Sequence, residues 1–361
     1  MRLDRFWVSL LLTLVVLQSV TISAYRLTSE VSPIEESGPL QYTVPPTLIP
    51  KETPIPTTTT PPIMTTTPPP LAEPLQLLWN YDTGWDVYGV DISSNGELIV
   101  AGSRNYILYL FNKDGEVIWE LDIGAPIDDV AISSDGNYIV ATSYIVPKGK
   151  LYLFDVKGNQ LWSKEIASPM RGVDITATGE LIAVGAENGY VYLFDIKGEE
   201  KWKFKTDKSA YGVWDVAFSP TEDYIVAGVD DMNIYVLDIN GNLLWKRTPG
   251  EKSYIYGVDV AGGYIGAAAQ NLNVYLYDEK GNKLWSYKTE FSNYDVAISP
   301  DSRFIAVGSW DTNLYLLDKE GNLIMKYEIG DYVNRVSFSG DGRYLVVASE
   351  DDNVYFFELG G

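Results

Sequence analysis

Six aspartates and one arginine recur at matching places in a repeating sequence: Asp91, Asp129, Asp174, Asp215, Asp259, Asp295 and Arg335. Each sits beside a valine. The aspartate follows Val90, Val173 and Val258, precedes Val130, Val216 and Val296, and is replaced by Arg335 before Val336. Clustered carboxylates are oxygen ligands for hard cations, so one reading is a Ca²⁺ site, or a channel that admits a charged ligand. The other is that each aspartate caps backbone N–H groups in its own repeat, because a feature that recurs in every unit is structural more often than a site is. A second set is aromatic. Trp85, Trp214 and Trp310 are read as lying in loops that enter the first strand of a repeat or join its second strand to its third. Tyr88, Tyr211, Tyr254, Tyr256, Phe291, Tyr294 and Tyr332 fall in the same loops or the adjoining strand ends, interspersed with Arg104, Asp230, Asp231, Glu350, Asp351 and Asp352. Rigid rings among carboxylates have the composition of a protein or carbohydrate contact surface, unless they merely pack over the sheet ends.

Two absences limit the chemistry. The 361 residues include no His and no Cys. That excludes Ser-His-Asp and Cys-His triads, zinc–thiolate sites, disulfides and a lipid anchor on an N-terminal Cys. No catalytic constellation is recognisable, so the chain is expected not to be an enzyme. Net charge is −22, and after residue 75 there remain 23 basic and 43 acidic side chains. Such a surface repels phosphate backbones and argues against nucleic-acid partners.

The elements that must position these residues are legible from a period. Trp79, Trp119, Trp162, Trp202, Trp245 and Trp285, with Met325 in the same setting, are separated by 40 or 43 residues. Each unit contains four short apolar, β-branched or aromatic runs ended by turn residues, which is one four-stranded blade. Seven first strands are counted, centred on Val90, Val130, Val173, Val216, Val258, Val296 and Val336. The last unit stops at Gly361 before its fourth strand, and Leu75–Asn80 supplies a strand of that type at the other end of the domain. The expectation is an all-β, seven-bladed β-propeller over residues 75–361, monomeric, and closed by an N-terminal strand in the last blade, which removes exposed sheet edges.

Ahead of it, Arg2 and Arg5 precede an apolar run from Phe6 to Ala24. At 1.5 Å per residue this helix spans roughly 28 Å, about one hydrocarbon core. Residues 1–24 are read as a signal-anchor or a cleaved signal peptide; either exports the bulk of the chain. Residues 25–74 change composition, with eleven Pro from Val44 onward and runs such as Thr57–Thr60. This is a disordered, extended Thr/Pro-rich stalk.

The blade sequences resemble two propeller families. Leu151-Tyr-Leu-Phe-Asp-Val-Lys-Gly-Asn-Gln-Leu-Trp162 resembles the repeat of pyrroloquinoline-quinone-type (PQQ-like) propellers, in which the closing Trp docks on the neighbouring blade. Val296-Ala-Ile-Ser-Pro-Asp-Ser-Arg-Phe-Ile-Ala-Val-Gly-Ser-Trp-Asp311 resembles a WD-repeat unit. The interval from Asp155 to Trp162 is one residue tighter than in the quinone-type repeat, the units number seven where quinone dehydrogenases use eight, and the vicinal Cys pair is missing. A seven-bladed lyase of similar fold would need a His. The resemblance therefore implies fold, not activity. The expected role is a non-catalytic scaffold outside the cytoplasm that binds a protein or glycan of the cell envelope. The alternatives are a quinone-dependent dehydrogenase, a carboxylate-based glycan-active enzyme, or an envelope-assembly scaffold.

Overall fold

Burial explains the composition of the 40-residue unit. In the third blade, Leu181–Ala186 and Tyr190–Asp195 are buried on both faces by their neighbours and read as nearly continuous apolar runs. Glu200–Lys205 is the outer edge, where half-buried Trp202 and Phe204 alternate with exposed lysines. Lysines on an exposed edge also discourage strand addition. The computed structural model describes residues 74–207, 212–250 and 253–360. Within them, seven antiparallel four-stranded sheets form blades 1 to 7. The apolar run of residues 1–24, the stalk up to residue 73, and Tyr211 lie outside the described residues. Among the described residues no helix is long and apolar enough to cross a membrane.

Closure follows the expected route. Leu75–Asp82 pairs with Asn353–Leu359, placing Leu75 opposite Leu359 and Asp82 opposite Asn353. The inner strand of blade 7, Val333–Phe338, packs against Val87–Ile92 of blade 1, so the ring is shut. Leu75, Phe357 and Leu359 share one core cluster with Val333, Val336 and Met325.

The recurring tryptophans clamp blade to blade. Nε1–H of Trp79, Trp119, Trp162, Trp202, Trp245 and Trp285 donates to a main-chain carbonyl in the next blade at 2.8–2.9 Å. Each indole lies on the glycine of that blade's third-to-fourth-strand turn; at Gly241 (φ +84°), for example, an added Cβ would stand 2.9 Å from Trp202. Blade 7 has no such turn, because its third and fourth strands come from opposite ends of the domain. Met325 faces that blade, which accounts for a methionine where the other repeats carry tryptophan.

Every inner strand carries an irregularity at the same place. The pairing skips Tyr88, Asp128, Trp214, Tyr256, Tyr294 and Asn334, and in blade 3 both Arg171 and Gly172. A bulge inserts an unpaired residue and re-aims its side chain. These seven bulges shape one end of the central channel.

Candidate functional site

The six aspartates and Arg335 all line the central channel, a cavity of about 620 Å³. Each carboxylate reaches across to the next blade. The aspartates after their valine, in blades 1, 3 and 5, accept from Ile132, Phe218 and Ile298 N–H at 2.8, 2.7 and 2.6 Å. Those before their valine, in blades 2, 4 and 6, accept from Val173, Val258 and Val336 N–H at 2.9, 2.8 and 2.9 Å. Capping within the aspartate's own repeat, the expectation from recurrence, is the secondary contact, as for Asp174 and Ile175 N–H at 2.7 Å. The main one stitches neighbouring blades together. Blade 7 uses other groups: Asn334 Nδ2 donates to Val87 O at 3.0 Å, and Ser337 Oγ donates to Asp91 at 2.7 Å.

Arg335 gathers one layer of carboxylates. Its guanidinium lies 2.5 Å from Asp129, 2.9 Å from Asp215 and 3.3 Å from Asp295. Burial works against its charge, but these three carboxylates more than offset that and hold it protonated. Among the described residues no basic side chain forms an ion pair with Asp91, Asp174 or Asp259, and Arg335 acts on Asp91 only from the neighbouring layer. Burial raises the pKa of all three, that of Asp259 to about 7 and that of Asp174 well above the usual carboxylate range. Burial likewise raises Asp129, Asp215 and Asp295, with Arg335 pulling each back down. Among the described residues, no group of three or more carboxylates is arranged to hold a metal ion.

One mouth of the channel is plugged by the bulged residues. Tyr88, Asp128, Arg171, Trp214, Tyr256 and Tyr294 close over Arg335, leaving a void of only about 10 Å³. Trp214 meets Tyr256 edge-on at 4.9 Å, and Trp310 stacks on Tyr294 at 5.3 Å and on Tyr332 at 5.5 Å. Arg171 caps Trp214 at 4.3 Å while bonding Glu187 at 2.6 Å and Asp128 at 3.3 Å. Arg104 lies 3.7 Å over Tyr88 and 3.4 Å from Asp128. The cavity opens instead beside Ser94, Ser134, Ala177, Pro220, Gly262, Pro300 and Gly340, in the first-to-second-strand loops. The channel therefore opens on the face opposite the aromatic residues.

Several sequence expectations are corrected. Trp214 belongs to the inner strand Val213–Phe218, not to a loop, and with Tyr88, Tyr256 and Tyr294 it is packed into the plug. Trp85, Tyr254 and Tyr332 are the outward members of the set, at 45%, 37% and 37% exposure. Asp231 and Asp351 are tied into turns, accepting from the hydroxyls of Tyr235 and Tyr355 as Asp311 does from Tyr315. Asp128, Arg171 and Glu187 were not singled out. For Asp128 and Arg171 the signal is the position two before the central valine, the same in every repeat, occupied by Tyr88, Asp128, Arg171, Trp214, Tyr256, Tyr294 and Asn334; Glu187 lies in the second-to-third-strand loop of blade 3 and carries no such signal.

Comparison with known families fits this architecture piecewise. Residues 73–186 match the family described as outer membrane protein assembly factor BamB, of the PQQ-like repeat type. Residues 138–254 match a lambda-carrageenase beta-propeller domain, and residues 285–318 and 322–358 match the WD domain, G-beta repeat. The chain is a PQQ-like, WD-like seven-bladed propeller. Each match covers less than half of the chain. A search among curated proteins found no match. In this propeller the indole clamps correspond to what the quinone-type resemblance implied, and the residues around Val296–Asp311 form the first two strands of blade 6.

Proposed function

We propose that this propeller is a non-catalytic binding scaffold, held outside the cytoplasm by its N-terminal segment and contacting a protein or glycan of the cell envelope. The observation that carries the reading is the asymmetry of its two faces. Among the described residues, the aromatic side chains exposed by more than a third are Trp85, Tyr106, Tyr254, Phe291 and Tyr332. All five lie in fourth-to-first or second-to-third-strand loops, which emerge on one side of the ring. Exposed rings gathered on one face are the usual mark of a contact surface. The absence of His and Cys, and the use of the channel carboxylates on backbone N–H groups, support a role without catalysis.

The resemblance over residues 73–186 to an outer membrane protein assembly factor fits a protein partner, and that over residues 138–254 to a carrageenase propeller domain fits a glycan. The test is photo-cross-linking in intact cells with the full chain, placing the photoreactive residue at Phe291 or Tyr254 and, on the other face, at Asp135 or Glu320. Envelope adducts that form from the first pair alone support the reading. Adducts from the second pair alone, or from both equally, overturn it. Protease shaving of intact cells checks the placement: a propeller that resists until the membrane is opened refutes export. The enzymatic alternative predicts dye reduction by the purified protein with pyrroloquinoline quinone and Ca²⁺, and a blank result there supports the scaffold.

A further inference from the structure

We infer that the second-to-third-strand hairpin of blade 2, with the lysines around it, docks on an anionic phospholipid surface. The inference goes beyond the partner proposed above and does not rest on it. In this hairpin the pairing runs eight rungs, from Tyr138 opposite Asp155 to Ile145 opposite Lys148, where every other blade has five. The three extra rungs carry it roughly 10 Å past Thr142, at about 3.3 Å per residue, on the aromatic face. Its tip is apolar. Ile145 is 44% and Val146 68% exposed, and Pro147 beside them is exposed as well. Val146 is the most exposed large apolar side chain among the described residues.

The hairpin is rooted on both sides. Tyr144 N–H donates to Pro126 O at 3.2 Å, and the Arg171 guanidinium lies 4.2 Å over the Tyr144 ring. A Cβ on Gly149 would stand 2.7 Å from Met170 N and Ser168 O, so the strand rests directly on the loop entering blade 3. A wedge ordered in advance loses little conformational freedom on contact. Charge singles out the same sector. Residues 148–205 hold nine basic and eight acidic side chains, against 14 and 35 in the rest of the propeller. Lys148 and Lys150 stand on the hairpin, and Lys203 and Lys205 on the aromatic-face half of the outer strand of blade 3, opposite Tyr192 and Tyr190. The acids beside them are engaged, Glu165 with Lys148, and Asp128 and Glu187 with Arg171. Among the described residues Lys150 and Lys205 form no ion pair: Lys150 lies 4.8 Å over the Tyr152 ring and Lys205 donates to Asn188 O. Edge protection does not account for these lysines, since the outer strands of blades 1 and 7 carry none. An apolar tip flanked by lysines suits the boundary between headgroups and acyl chains of an anionic bilayer. Charges farther off than about 8 Å are largely screened at physiological salt, so the acidic bulk of the ring does not oppose the contact.

The test reconstitutes the full-length protein with vesicles of phosphatidylcholine, alone or with about 30% phosphatidylglycerol, at about 0.15 M salt. The chain has no Cys, so Val146→Cys carries a single environment-sensitive fluorophore at the tip, and Glu320→Cys carries it on the opposite face. The tip label should shift to the blue and be quenched by spin-labelled lipid in the phosphatidylglycerol vesicles, at least about threefold more than without that lipid. The label on the opposite face should show neither effect. Lys150→Gln/Lys205→Gln should cut the quenching at the tip by more than about half, whereas Lys113→Gln/Lys319→Gln, which removes the same charge from the opposite face, should leave it unchanged. Ile145→Asp should abolish it. Thermal unfolding of each variant separates lost docking from lost fold. A tip label that stays in water in both kinds of vesicle, equal quenching in both, or equal loss in both lysine pairs would overturn the inference. So would a blue shift caused by soluble polyphosphate without lipid, which would give the lysines to an anionic polymer instead. None of these outcomes bears on the cellular cross-links that test the proposed partner.

Discussion

Asp259→Asn exchanges a fully buried carboxyl for a neutral group of nearly the same shape. Asp259 accepts from Ile298 N–H at 2.6 Å, and burial pushes its pKa from 3.8 to about 7, against the lowering effect of the N–H groups of Ile298 and Val260. Folding therefore raises the pKa by about three units, worth roughly 4 kcal/mol at about 1.4 kcal/mol per unit. Because the folded state binds the proton more tightly, this contribution is complete below about pH 4 and is lost as the pH climbs to about 7. Asparagine still offers one acceptor oxygen and has no proton to lose. Between pH 5 and pH 8 the variant should thus gain on the wild type by roughly 3 kcal/mol, the two titratable units in that interval. Urea unfolding followed by tryptophan fluorescence at half-unit steps measures the difference directly, and starting at pH 5 stays above the sequence pI of about 4.3. Stability curves that run parallel across the range, or a variant that falls behind as pH rises, would refute the view that the channel holds an uncompensated carboxyl.

Four further outcomes follow from other parts of the ring. Arg335→Met leaves Asp129, Asp215 and Asp295 without their guanidinium, and should cost about 3–5 kcal/mol at pH 8 but clearly less at pH 5.5, where the carboxyls take up protons; paired urea titrations check this. Gly172→Ala places a Cβ 2.5 Å from the Asp215 Cα, a backbone atom with no room to yield, so it should lower the thermal midpoint. Gly124→Ala, which meets nothing within 4 Å but keeps a φ of +74°, should cost only about 1 kcal/mol of strain and lower the midpoint less. Deleting Leu75–Asp82 strips the outer strand from blade 7 and bares an edge, and light scattering should report aggregation in the deletion variant beyond that of the full-length protein.

The blade count and the closing strand were legible because they depend on period and length, which a sequence states directly. Trp162 recurs, and Leu75–Asn80 is of a type found only as a fourth strand. The convergence of the aspartates on the channel was legible too, as a repeated neighbour of the central valine. The direction of their contacts was not, since nothing local to Asp129 or Asp215 says that the bonded N–H lies more than forty residues onward. The aromatic set failed in a more specific way. A bulge adds one residue to each inner strand, so the two-residue alternation slips and Trp214 reads as a loop residue. Its burial depends on Tyr256 and Arg171 from other blades, and such packing has no signature in the residues around Trp214.

The placement of aspartates on either side of the valine carries a condition on the size of the ring. Strands with the acid before the valine sit beside strands with glycine there, and Gly89, Gly172 and Gly257 are where a side chain would strike the neighbouring strand. A two-step pattern of this kind closes on itself only around an even number of members. With seven, one sector must fall out of step, and blade 7 is that sector, carrying Arg335 and Ser337 instead of an acid. Shortened versions of the protein inherit the same parity rule. Excising blades 3 and 4 together keeps every acid opposite a glycine, whereas excising either alone sets two like strands side by side.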